Sequence, residues 1–174
     1  MDKTREEIFL ENVDKLSTGE RAALRRACGK TLEQADGNAL AAFYRYLPRD
    51  VNRYDEGGWF EGACLRCLWQ PDETPAITAE RALAAMDAKQ DSESNPYRKR
   101  MIVLLDTPRD RDGYLTVKLW RIIKLLKQQG FVIDCAALIQ DLCRWNESYR
   151  GVQKKWARAF APLPEQNGER KGEQ

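Results

Sequence analysis

The chain is 174 residues long, 43% hydrophobic and 32% charged, with a net charge of +2 and no histidine. Without histidine, Ser-His-Asp triads, Cys-His dyads, HExxH zinc sites and any histidine general base are excluded. No run approaches the roughly 18 to 20 apolar residues that span a bilayer, and residues 1–11 are charged rather than forming an apolar signal core, so the chain reads as cytoplasmic, with no membrane contact.

Apolar residues recur at intervals of three or four almost throughout, and alternating β-branched runs are missing, which predicts an all-α protein. The first helix is expected over residues 5–16, with Phe9, Val13 and Leu16 on one face and Thr4 and Glu7 in capping-box spacing. Ser17 and Glu20 repeat that box ahead of a helix over 21–28, which Gly29 stops in a tight hairpin. Residues 36–38 open a third helix through Phe43 and Leu47, ended by Pro48, whose aromatics Phe43, Tyr44 and Tyr46 are expected mostly to seat the core. A fourth spans 58–69 and a fifth 79–86, the latter capped by Thr78.

Residues 87–95 contain no large apolar side chain and read as a short polar linker between two small helical-bundle domains, 1–90 and 91–161. Asn95 and Pro96 then supply the N-cap and first position of a helix bearing Tyr97, Met101, Leu104 and Leu105. After a charged loop at 107–113, Leu115, Leu119, Ile122, Ile123 and Leu126 form a strong amphipathic helix ending before Gly130. Asp134 caps a helix with Leu138, Ile139, Leu142 and Trp145, and a last helix over 148–160 turns Tyr149, Val152, Trp156 and Phe160 inward. Residues 162–174 are polar and are expected to be a disordered tail.

Charge is unevenly spread. Residues 1–90 hold 13 basic and 16 acidic side chains, whereas residues 96–160 hold 14 and 6. Lys118, Arg121, Lys124 and Lys127 recur every third residue opposite the leucine stripe, and no acid interrupts them between Tyr114 and Gly130. Arg150, Lys154 and Arg158 lie opposite the last aromatic stripe, with Lys155 on its flank. Arg98, Lys99 and Arg100 add a cluster, and Arg25 with Arg26 a smaller one in the N-terminal half. A merely solvated face mixes signs into i, i+4 pairs; these faces do not, and they are candidate phosphate-binding residues.

Catalysis gains little support. Asp106, Asp110 and Asp112 are interleaved with Arg109 and Arg111, which neutralise them more simply than a metal would. The Cys64/Cys67 pair has no second CxxC to complete a four-thiolate zinc site, and Cys28, Cys64, Cys67, Cys135 and Cys143 read chiefly as small buried hydrophobes. No catalytic residue, metal or cofactor is expected. Four of the five tryptophans belong to apolar stripes, leaving Trp120 as the most exposed candidate for base stacking. A helical adaptor without nucleic-acid contact and a helix-turn-helix regulator are the alternatives.

The ordered fragments GERAALRRA, AFYRYLP, RALAAM, YRKRMIVLLD, YLTVKLWRIIKLLKQQGFVIDCAALIQDLCRWNE and VQKKWARAF, from Ile8 to Phe160, resemble the small subunit of type I-E CRISPR Cascade, the CasB family. That resemblance implies an all-helical, two-domain, non-catalytic antiviral protein. It would pair head to tail with a second copy along an RNA-guided complex, beside other Cascade subunits, and bind guide RNA and target DNA without sequence preference. It also implies basic positions at Arg25, Arg26, Arg45, Arg98, Lys99, Arg100, Arg121, Arg144, Lys154, Lys155 and Arg158. The chain departs from the family pattern in its acidic neighbourhood at residues 52–58 and its modest total charge, which imply fewer phosphate contacts from the N-terminal half and weak binding outside the complex.

Overall fold

The computed structural model describes residues 2–90 and 95–161; the expected disordered tail lies outside the described residues. Among them are nine α-helices: α1 (Arg5–Asp14), α2 (Thr18–Arg26), α3 (Gly37–Tyr46), α4 (Glu56–Arg66), α5 (Ala79–Ala88), α6 (Pro96–Leu105), α7 (Tyr114–Gln128), α8 (Cys135–Cys143) and α9 (Gly151–Ala159). A 3-10 turn at Leu32–Gln34 links α2 to α3.

Most local signals act as the sequence leads one to expect. The exception is Thr78, which stands at the N-cap of α5 but makes no side-chain capping hydrogen bond, its buried hydroxyl having no partner among the described residues. In α1 the Glu7 amide donates to Thr4 Oγ1 at 3.2 Å and the Thr4 amide to the Glu7 carboxylate at 2.7 Å, and Ser17 and Glu20 reciprocate in the same way at α2. Each box satisfies two of the amides that a helix start leaves without partners. Asp36, Asn95 and Asp134 accept amides at the starts of α3, α6 and α8.

Burial of Phe9, Leu24, Phe43, Phe60, Leu83, Leu104, Leu119, Ile123, Leu126, Ile139 and Trp156 joins both halves of the chain in one apolar cluster. Packing crosses the polar segment in both directions. Helix α8 lies against α4 and α1, whereas α5 packs on α6 and α9. Gly62 makes the α4–α8 approach possible: a Cβ there would sit 2.2 Å from Ile139 Cγ1. An isolated β-bridge between Ile77 and Ile133 ties the segments entering α5 and α8. The polar segment itself is closed at its ends, because the buried Asn95 side-chain amide donates to the Asp87 carbonyl at 3.1 Å and carboxylate at 2.6 Å.

Several buried polar groups are structural. Arg66 donates to Asp14 at 3.0 Å and to the Gln70, Pro71 and Glu73 carbonyls. Arg21 donates to the Trp69 carbonyl at 2.8 Å. Asp141 accepts Trp156 Nε1 at 2.8 Å and also pairs with Lys155.

Three further expectations need correction. Tyr149 is 55% exposed rather than inward, because the last helix begins at Gly151, after Arg150 takes a left-handed φ of 54°. Tyr44 is exposed and donates to Glu56 at 2.7 Å, leaving Phe43 to fill the core. Arg109 does not neutralise the acids of its own loop; it pairs at 2.6 Å with buried Glu61 on α4.

Candidate nucleic-acid interface

Helices α6 and α7 carry their apolar stripes inward at Met101, Leu104, Leu119 and Ile122, which leaves the adjoining flanks to converge outside. Between them lies a groove of about 270 Å³ lined by Lys99, Arg100 and Val103 from α6 and by Lys118, Arg121 and Ile122 from α7. Four cations therefore face one cleft with an apolar floor, and no carboxylate of the described residues lines it. Lys118 Nζ lies 5.4 Å from the Tyr114 ring centroid, and Lys124 Nζ lies 5.4 Å from that of Trp120. Such cation–π contacts hold a lysine in place without cancelling its charge.

The remaining candidates from the sequence divide into two groups. Arg25, Arg26, Lys124, Lys127, Lys154 and Arg158 are exposed and, like the four groove cations, make no ion pair among the described residues. Five others already have partners. Arg45 donates to both Glu20 oxygens at 2.9 and 3.1 Å; Arg98 pairs with Asp87 at 2.7 Å; and Arg144 bonds Glu147 at 3.2 Å and the Tyr149 hydroxyl at 3.1 Å. Arg150 donates to the Leu105 carbonyl at 2.6 Å, with Asp106 nearby at 3.7 Å, and Lys155 pairs with Asp141. Their acids respond accordingly. The Ser17 hydroxyl, then Arg45, hold the Glu20 carboxyl below its ordinary range, and Tyr149, then Arg144, do the same for Glu147.

The two basic faces seen in the sequence do not merge. Helix α9 packs on α5, and its Lys154 borders a second groove, on the Leu105 side of α6, that also contains Asp106. Trp59, Trp69, Trp145 and Trp156 are core residues, while Trp120 is half-buried beside α7's basic arc. Lys30, which the helix-face reading passes over because it sits in a turn, shares a small cleft with Trp120. Its signal is the run Arg25, Arg26, Lys30, three cations within six residues. No helix of the described residues is long and apolar enough to cross a membrane.

A family model described as CRISPR-associated protein Cse2 matches residues 20–160. Among solved structures, a CRISPR-associated protein of the Cse2 family from Thermus thermophilus is 27% identical, covering 91% of this chain and 98% of that one, with a TM-score of 0.74. CasB from M. ruber is 23% identical, covering 91% and 93%, with a TM-score of 0.70. A chain of a CRISPR RNA-guided surveillance complex is 21% identical, covering 89% and 90%, with a TM-score of 0.71. The last two, at such identity, speak for the fold alone. No curated protein matches the chain.

Proposed function

The chain belongs to the CRISPR-associated Cse2 family, and we propose that it is a non-catalytic, nucleic-acid-binding subunit of a cytoplasmic RNA-guided surveillance complex, associating there with other Cascade subunits and a second copy of itself. The observation that carries this reading is the convergence of Lys99, Arg100, Lys118 and Arg121 on one groove that no carboxylate of the described residues lines. Its role is physical. Exchanging a DNA duplex for a guide RNA–DNA heteroduplex is nearly balanced in free energy, so phosphate contacts that hold the target or the displaced strand tip it without reading bases. Lysines and arginines along a groove supply such contacts, and they do so independently of sequence.

A helix-turn-helix regulator fits less well, since that motif joins its helices by a turn of three or four residues: α6 and α7, which form the basic groove, are separated by Asp106 to Gly113, and the one turn that short among the described residues, Lys15 to Ser17 between α1 and α2, lies outside the groove. The test is fluorescence anisotropy of the full chain with single-stranded oligonucleotides of unrelated sequence at low ionic strength. Comparable affinities that fall steeply with salt are expected. Marked preference for one duplex operator, or no binding at any salt concentration, overturns the reading, the latter in favour of a helical adaptor.

A further inference from the structure

Gly29, just past the end of α2, has a φ of +84°, and a Cβ built on it would lie 2.7 Å from Trp120 Cε3 and 3.1 Å from Cδ2. The glycine therefore does more than end a helix: it lets the α2 turn press directly on a side chain of α7, far along the chain. The ring of Trp120 carries Lys124 Nζ at 5.4 Å from its centroid, and the small cleft at this contact is lined by Lys30, Trp120 and Thr116 and by Glu61, whose buried carboxylate is paired with Arg109. Lys30 is exposed, and its turn is closed by its own amide donating to the Ala27 carbonyl at 3.0 Å.

The outer arc of α7 runs from the groove to this cleft. At about 100° per residue, Lys118 and Lys124 stand about 120° apart around the helix, and Arg121 falls midway between them. Lys118 borders α6, while Lys124 lies over the Trp120 ring that meets the α2 turn.

Resting on the nucleic-acid reading above, we propose that the α2 turn extends the α7 surface into one continuous track for a phosphate backbone, with Lys30 as an additional phosphate-binding residue and the Gly29–Trp120 contact as the pin that holds the two parts on one surface. A strand lying in the α6–α7 groove then passes over Arg121 and Lys124 and leaves across Lys30, so the acidic N-terminal half contributes at a single edge. This continuity needs no change in fold, because the Gly29 turn and the α7 arc are already in contact.

The test uses the full chain and fluorescein-labelled oligothymidylate, with binding measured across a salt series for Lys30→Ala, Lys124→Ala and Arg121→Ala. Lys15→Ala, at the exposed end of α1, is the control. Each phosphate contact contributes roughly 0.7 to the logarithmic salt slope of a single strand. Lys30→Ala is therefore expected to reduce the loss of affinity between about 50 and 200 mM salt by about 2.6-fold, as Lys124→Ala does, with Lys15→Ala unchanged. If Arg121→Ala and Lys124→Ala flatten the slope and Lys30→Ala does not, the track ends on α7 and the extension is wrong. If none of the three changes it, the nucleic-acid reading itself fails.

Discussion

Cations without an ion-pair partner among the described residues should carry the binding, and those already paired should not, which separates local geometry from net charge. Replacing Lys99, Arg100, Lys118 and Arg121 together by alanine empties the α6–α7 groove of charge. With roughly 0.7 per phosphate contact, the salt slope for single-stranded DNA should fall by about 2.8, equivalent to about 50-fold less loss of affinity between about 50 and 200 mM salt. The comparison variant replaces Arg45, Arg98 and Arg144, whose guanidinium groups are held by Glu20, Asp87 and Glu147. Ion pairs as exposed as Arg45–Glu20 and Arg144–Glu147 contribute about 0 to 1 kcal/mol, and buried Asp87, once Arg98 is removed, keeps its hydrogen bond from Asn95, so the triple variant should remain folded, and its slope should fall by less than about 1. Anisotropy titrations over a salt series, with circular dichroism confirming the fold, measure both. Equal flattening per charge removed would refute the distinction and make net charge the determinant.

Arg66→Met should destabilise the chain by about 3 to 5 kcal/mol in urea denaturation, because it strips a buried guanidinium from Asp14 and leaves the carbonyls of residues 70, 71 and 73 without their donor; a loss below about 1 kcal/mol would contradict that assignment. Gly62→Ala should cost about 1 to 3 kcal/mol by overpacking the α4–α8 contact, and combining it with Ile139→Ala, which removes the atoms 2.2 and 2.7 Å from the new Cβ, should cost less than the sum of the two single changes. Stability should also fall at alkaline pH. Burial pushes the thiols of Cys28 and Cys143 up to about 12 and that of Cys67 up to about 11, from an ordinary 9.0, so the folded state keeps protons that the unfolded state releases. The urea midpoint should therefore be insensitive to these groups below about pH 8.5 and decline as pH rises from about 9; a Cys28→Ala/Cys67→Ala variant with an equally steep decline would assign it elsewhere.

What can be read from the sequence is local. Thr4 and Glu7, Ser17 and Glu20, and Asn95 with Pro96 act within one helical turn, and their capping geometry follows from spacing alone. The start of α9 lies beyond that reach. Its boundary depends on Arg150 adopting a left-handed conformation, which an arginine does not announce and which turns Tyr149 outward. Helix partners are equally hidden, since an apolar stripe states that a face is buried without naming its neighbour. Thus α8 reaches back to α4, where Gly62 admits Ile139, and α5 goes forward to α6 and α9.

The same limit governs the candidate site. Helix-face spacing can show that Lys118, Arg121, Lys124 and Lys127 point outward together, because that is a property of one helix. It cannot show that Glu20 waits for Arg45 or Asp87 for Arg98, since those acids stand on neighbouring helices, 25 and 11 residues away in the chain. Nor can it bring Lys30 beside Trp120, which depends on the space that Gly29 leaves open. The excess of basic residues between 96 and 160 consequently overstates the charge free to meet a phosphate, because Arg98, Arg109, Arg144, Arg150 and Lys155 neutralise acids of the protein itself. Among the described residues, much of what remains without an ion pair lies on α6 and the outer arc of α7, and the proposed path of a strand follows that run of positive charge rather than the sum over a domain.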